Sequence, residues 1–197
     1  MESIEENVPL ASAHQRALDG TRRLQRILTS MSEATKLEQT LDPEDKSPLD
    51  LVKLLGTMTA SYQATYKSVP FQFATRVEEA TTLGCPDLIG QMLDKLISNA
   101  VEFRTDGDIV VCLRENIRHQ WQITIDNFGP LLPESMIDQI FSPMVTVREK
   151  QSTDQTHLGL GLYIARIIAQ FHDGQICAAN LADSNGVRVT ITLPRLG

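Results

Sequence analysis

Residues 18–41 predict one long amphipathic helix, which limits the folds open to this chain. Apolar residues recur there at steps of three and four, with charged residues between them. A lone helix cannot bury its own apolar side, so this one needs a partner helix or the body of a domain to pack against. The predicted stripe consists of Leu18, Leu24, Ile27, Leu28, Met31, Ala34, Leu37 and Leu41.

The segment that follows the helix predicts a boundary. Residues 42–48 hold two prolines and four charged side chains without any hydrophobic period. We therefore expect three regions: 1–42 as a helical region, 43–48 as a linker and 49–197 as one domain. A composition of 42% apolar and 22% charged residues is that of a chain able to build such a core.

Charge and hydropathy exclude several classes of function. The net charge of −7 leaves no excess of cations to neutralise a phosphate backbone, so a nucleic-acid partner is not expected. The apolar runs fall well short of the roughly 20 residues that span a bilayer. The three cysteines lie far apart in sequence and show no metal or disulfide spacing. We expect this segment to be cytoplasmic.

Beyond the linker, helical and alternating patterns follow one another along the chain. Their order predicts an α+β fold, with helices layered on one face of a mixed, mostly antiparallel sheet. Asp106-Gly107-Asp108 reads as a turn, and residues 145–156 as a polar loop. The predicted helices are 49–66, 85–103, a short one from 133 to 140, and 160–171; the predicted strands are 71–74, 109–113, 121–125, 175–180 and 187–193.

A polar row lies along the helix predicted over 91–103. Lys95, Asn99 and Glu102 are spaced by four and three residues, which places them on one face. A solvated helix face explains this row equally simply. The functional interpretation is that the amide oxygen of Asn99 holds Mg²⁺ against a nucleotide, because hard cations prefer oxygen ligands.

A second candidate lies where the strand around Ile125 runs into a Gly-Pro loop. Side chains alternate along a strand, so Ile123, Ile125 and Asn127 share one side. An acceptor at 127, beside the bare backbone of Gly129, suits the amino group of adenine, although an ordinary strand-to-turn transition has the same pattern. If the chain had one residue more between the strand and the turn than this alternation assumes, Asp126 would occupy that position instead.

A third candidate is the pair Gly159 and Gly161 at the start of a predicted helix. Unpaired N–H groups at a helix start favour an anionic phosphate. A lone Gly-x-Gly is weak, since it also serves close packing of a loop on a helix.

In this order the segments resemble the nucleotide-binding boxes of sensor histidine kinases, within the ATPase superfamily shared with gyrase, heat-shock chaperones and mismatch-repair proteins. The boxes are residues 91–103, 127–133, 141–144 and 158–162. The resemblance implies a Bergerat-type fold, the cofactors ATP and Mg²⁺, a lid over 145–156 and Asn99 as metal ligand. The implied ATP-binding residues are Lys95, Asn99, Glu102, Phe103, Asp126, Asn127, Gly129, Leu132, Phe141, His157, Leu158, Gly159, Leu160, Gly161 and Leu162.

The sequence also departs from that family. Lys95 stands where a second asparagine is usual, Glu102 where a basic residue is usual, and Asn127 where aspartate is usual. Our hypothesis is that Lys95 supplies the cation that faces the phosphates, with Glu102 offsetting it or approaching the metal. Leu131 and His157 replace usual glycines, which should stiffen the loop and the lid.

The expected phosphoacceptor pattern, His-Glu-x-Arg-Thr-Pro, is absent, and His14 does not fit it. Residues 23–38 are similar to the second helix of a dimerisation and phosphotransfer hairpin. The resemblance implies a homodimeric, membrane-anchored parent kinase that supplies the acceptor histidine helix and phosphorylates a response regulator. We expect this segment to bind ATP without phosphorylating itself. The alternatives are a nucleotide-sensing scaffold without transferase activity, or a serine kinase or ATPase of the same superfamily.

Overall fold

The computed structural model describes residues 7–143, 160–182 and 185–196. Twelve helices and strands follow one another in the described ranges, with a single 3₁₀ turn at Pro43–Asp45. The helices are α1 (Asn7–Thr40), α2 (Leu51–Thr65), α3 (Pro86–Phe103), α4 (Glu134–Ile137) and α5 (Gly161–Phe171). The strands are β1 (Ser47–Asp50), β2 (Phe71–Thr75), β3 (Thr81–Gly84), β4 (Asp106–Glu115), β5 (Trp121–Phe128), β6 (Gln175–Asn180) and β7 (Gly186–Leu193).

Five strands form the main sheet in the order β2-β4-β5-β7-β6. Only the β2–β4 pair is parallel, and the other three pairs are antiparallel. Helix α2 packs on β2, α3 on β5, and α5 on β6 and β7. Their apolar sides share one core with inward residues of the sheet such as Ile123 and Ile125. The predicted α+β arrangement of helices on a mixed, mostly antiparallel sheet is therefore confirmed.

The long helix α1 is longer than predicted, and its C-terminal end packs on the domain. Ala34 and Leu37 are buried in the main core. Leu24 and Leu28, earlier on the same stripe, are 63% and 68% exposed. The hydroxyl of Tyr163 on α5 donates a hydrogen bond to Glu38 on α1, at 3.1 Å. Of the stripe residues whose side chains the structure describes, Ala34, Leu37 and Leu41 pack against the domain.

Several local predictions were wrong. Helix α2 begins at Leu51 rather than at 49, because the Asp50 side chain caps it by accepting hydrogen bonds from the backbone N–H groups of Val52 and Lys53. The strand β1 lies across the predicted linker end and pairs with β3, which the sequence pattern did not reveal. The predicted turn at Gly107 lies inside β4, where a positive φ of 73° accompanies a shift in register.

A buried histidine joins the end of α5 to the start of α3. His172 accepts a hydrogen bond at Nε2 from the backbone N–H of Cys85, at 3.0 Å, and its Nδ1 lies 2.7 Å from the carbonyl oxygen of Ile168. Burial lowers the pKa of this imidazole, so it is neutral at pH 7 and carries its proton on Nδ1. The ring therefore fixes the relative positions of the two helices that carry the candidate site.

Candidate functional site

The polar row predicted on α3 is present. Lys95 and Asn99 are partly exposed and Glu102 is exposed, while Met92, Leu96 and Ala100 on the opposite side are buried. This burial fixes the rotation of α3 about its axis. The side chains of the row therefore point away from the core, and Lys95 points toward the beginning of α5.

The start of α5 lies beside this row. A Cβ atom built on Gly161 would be 3.8 Å from Cδ of Lys95, so the lysine stem passes directly over the glycine. Leu160 is buried, and Leu162 packs between the two apolar clusters. The predicted site residues His157, Leu158 and Gly159 lie outside the described residues.

The turn after β5 closes against the other end of α3. A Cβ atom on Gly129 would be only 2.0 Å from the carbonyl oxygen of Phe103, so any side chain there would push the two segments apart. The backbone N–H of Thr105 also donates to the carbonyl of Phe128, at 2.9 Å. The glycine thus brings the end of β5 to the last turn of α3, where Phe103 is 44% exposed.

Asn127 places a buried amide next to that glycine. The side chain is 7% exposed and lies on the same side of β5 as Ile125. Its Nδ2 atom is 3.6 Å from the Cβ position of Gly129. The amide has no hydrogen-bond partner among the residues that the structure describes. Every fully buried polar side-chain atom there is hydrogen bonded, so the Asn127 amide must retain some contact with solvent.

Asp126 points the other way and is engaged elsewhere. Its two carboxylate oxygens accept hydrogen bonds from Nε and Nη2 of Arg188, at 2.7 and 2.6 Å. Arg188 is its direct partner across the β5–β7 pair, and the hydrogen bonds to Asp126 raise the pKa of the guanidinium. Of the two candidates that the sequence left open, Asn127 is the one that lies beside Gly129 and has no side-chain partner among the described residues.

Leu132 lies in the loop after Gly129 and packs against the small apolar cluster that contains Phe141. The side-chain amide of Asn180 on β6 accepts from the backbone N–H of Leu132 and donates to its carbonyl oxygen, both at 2.8 Å. Phe141 is buried in a small cluster with Ile140 and Ala178. Asn180 therefore holds the loop after Gly129 in place. Sequence reasoning missed this residue, because an asparagine at a strand end shows its role only through such a distant contact.

Glu33 on α1 is a second residue that sequence reasoning missed. Its Oε2 atom is 3.8 Å from Nζ of Lys95, and the two side chains are 49% and 36% exposed. The long helix thus places a carboxylate against the cation that we expect to face the phosphates. No local sequence pattern signals the pair, since the two residues are 62 positions apart in the chain.

The described residues hold no ready-made cluster of metal ligands. Within residues 7–143, 160–182 and 185–196, no group of three or more His, Cys, Asp or Glu side chains has the geometry to hold a metal ion. An ion at Asn99 would therefore depend on oxygen atoms of a bound ligand and on water, which is how Mg²⁺ is commonly held beside phosphates. The described helices also include none that is long and apolar enough to cross a membrane.

Comparison with known proteins identifies the class of this fold and site. Residues 84–197 match the family of histidine kinase-, DNA gyrase B- and HSP90-like ATPases. The chain belongs to this family, as predicted, and the family implies ATP binding.

Its relatives are sensor kinases. The sensor protein ChvG of Agrobacterium fabrum is 35% identical over 187 residues, covering 88% of this chain and 31% of ChvG. WalK of Staphylococcus aureus is 25% identical over 176 residues, covering 88% of this chain and 42% of that sequence. The chain spans about a third of the length of its ChvG relatives.

Solved structures agree with this assignment. The nucleotide-free catalytic domain of histidine kinase ThkA is 27% identical, with a TM-score of 0.64, covering 76% of this chain and 95% of that domain. ThkA in complex with the response regulator TrrA matches all of this chain and 53% of ThkA, at 25% identity and a TM-score of 0.69. This chain therefore carries the ATP-binding domain of a sensor histidine kinase.

Proposed function

We propose that this chain binds ATP with Mg²⁺ and transfers the γ-phosphate to a histidine on another segment of its parent kinase. The observation that carries the proposal is the convergence of three predicted segments: the α3 row, the Gly129 turn and the start of α5. The 3.8 Å approach of Lys95 to Gly161 and the close contact of Gly129 with Phe103 tie these segments together. They place the Asn127 amide near the last turn of α3 and the Lys95 cation beside the start of α5.

Each part of this arrangement suits one part of ATP. Asn127 and Gly129 would take the base, beside the exposed ring of Phe103. Lys95 and the first backbone N–H groups of α5 would take the phosphates, since a helix start and an ammonium both favour anions. The predicted contacts of the phosphates or the base also include His157, Leu158 and Gly159. The predicted apolar residues around the nucleotide are Leu132, Phe141, Leu160 and Leu162.

The metal role of Asn99 follows from donor chemistry. Its amide oxygen is a hard ligand on the exposed row of α3, one turn from Lys95, and Mg²⁺ when bound would neutralise charge on the transferring phosphoryl group. Glu102 lies on the same row one turn further along. Its carboxylate would either offset the charge of Lys95 or approach the ion.

The partners of the reaction lie outside this chain. An acceptor histidine helix of the parent kinase would supply the nucleophile, and a response regulator would then receive the phosphate. The exposed stripe of Leu24, Leu28 and Met31 on α1 suits a helical bundle, which supports a homodimeric parent. We further propose that the parent is anchored in the cell membrane and that this segment lies in the cytoplasm.

Transfer of label tests the proposal. The chain is incubated with γ-labelled ATP and Mg²⁺, together with a separate protein that contains an acceptor hairpin, and a hairpin with its acceptor histidine replaced by glutamine is the control. We expect label on the intact hairpin only, and much less with the Asn99→Ala chain. Labelling of both hairpins, or equal labelling by Asn99→Ala, would contradict the proposal.

A scaffold that senses nucleotide without transferring phosphate is the second candidate. The exchange of charge between Lys95 and Glu102 favours it, because it alters the face on which the transferred phosphoryl group would lie. Saturable ATP binding without any label transfer would support the scaffold and overturn the kinase.

A further inference from the structure

We infer that the base pocket accepts 6-oxopurine nucleotides, such as ITP and GTP, as well as ATP. The inference deepens the proposed function and depends on it, since it requires the base to lie at Asn127. The group that the protein offers there is an amide, because the neighbouring carboxylate of Asp126 is held on the opposite side of β5 by Arg188.

An amide and a carboxylate read position 6 of a purine differently. An ionised carboxylate only accepts hydrogen bonds, so it pairs with the 6-amino group of adenine and repels the 6-oxo group of hypoxanthine or guanine. An amide has one end that accepts and one that donates. Rotation by about 180° exchanges these ends without changing the shape of the side chain.

The surroundings of Asn127 leave that rotation open. Neither Oδ1 nor Nδ2 has a hydrogen-bond partner among the described residues, so nothing in this part of the chain fixes one orientation. The Cβ position of Gly129 lies 3.6 Å from Nδ2, and glycine leaves that position without a side chain. Asn127 is only 7% exposed, and its amide has no partner among the described residues, so its hydrogen-bonding capacity is left for a ligand.

The test compares three triphosphates on the intact chain with Mg²⁺ at pH 8: ATP, ITP and purine riboside triphosphate, which has no substituent at position 6. ITP is preferred to GTP as the probe, because it lacks the extra 2-amino group. We expect ATP and ITP to bind within about tenfold of each other and both to bind more tightly than purine riboside triphosphate.

The variant Asn127→Asp supplies the matched comparison. Its ionised carboxylate should shift the ATP-to-ITP affinity ratio toward ATP by about tenfold or more, since an acceptor would then face the 6-oxo group. ITP binding more than about tenfold weaker than ATP, or an unchanged ratio in Asn127→Asp, would overturn the inference while leaving the proposed function standing.

Two further outcomes can be distinguished from these. If Asn127→Asp does not fold, the three nucleotides on the original chain decide alone, and ITP binding no more tightly than purine riboside triphosphate overturns the inference. If the folded original chain binds no ATP at all, the proposed function fails, and the inference fails with it.

Discussion

Replacing Glu33 by glutamine should tighten ATP binding, although Glu33 lies on α1 and outside every nucleotide-binding box. Its carboxylate is paired with Lys95 at 3.8 Å. If Lys95 turns to the phosphates, binding has to break this pair, and the observed affinity is lowered by its free energy. Glutamine keeps the shape of the side chain and removes the charge.

The size of the effect follows from the exposure of the pair. With 36% and 49% of the two side chains exposed, the pair belongs to the surface class that contributes about 0.2–1 kcal/mol. Glu33→Gln should therefore raise the affinity for ATP between about 1.4-fold and fivefold. In 1 M salt the Debye length of about 3 Å is shorter than the ion pair, so the gain should disappear.

Calorimetric titration with ATP and Mg²⁺ measures this gain, and Glu38→Gln is the matched control. Glu38 also lies on α1 but pairs with Tyr163 instead of Lys95, so its loss should leave the affinity unchanged. In a Lys95→Met background, Glu33→Gln should have no effect, while Lys95→Met alone should weaken binding by about tenfold or more. An equal gain in both backgrounds, or none in either, would refute the competition for Lys95.

Three other predictions concern the frame of the site. Gly129→Ala should lower the unfolding free energy measured in urea by about 1–3 kcal/mol and weaken ATP binding. Gly56→Ala is the control, because its Cβ would meet Phe73 at an ordinary 3.6 Å and should not destabilise α2. Asp126→Asn should lower the unfolding free energy by about 1–2 kcal/mol, because it weakens the pair with Arg188. It should change the affinity for ATP less than twofold. A large loss of affinity would instead indicate that Asp126 contacts the base. Since burial depresses the pKa of His172 below its ordinary 6.5, the unfolded chain binds the extra proton first. The unfolding free energy should then fall as pH drops through 6.5 and level off below the folded pKa, and His172→Gln should remove this part of the slope; an identical slope in both proteins would contradict it.

The layered architecture was predictable because buried apolar residues recur in the sequence with the period of the helix or strand that carries them. Ile123 and Ile125 alternate with polar residues on β5, and α3 repeats apolar residues at helical spacing, so the class and most elements follow from the pattern. The same parity placed Asn127 on the inner side of β5, where the structure has it.

Other features depend on contacts between distant parts of the chain, which no local pattern shows. β1 and β3 are four residues each and gain their stability from pairing with one another across the whole of α2 and β2. Likewise, Glu33 and Asn180 carry no local signal, because their roles arise only when α1 meets α3 and when β6 meets the loop at Leu132.

The central claim is that one adenine nucleotide binds where α3, the Gly129 turn and the start of α5 converge. Titration of the folded chain with ATP and Mg²⁺, repeated with Asn127→Ala, tests it most directly. The account predicts a single saturable site whose affinity falls by about fivefold or more in the variant. An equal affinity for ATP in the original chain and in Asn127→Ala, or no ATP binding by the folded chain, would contradict it.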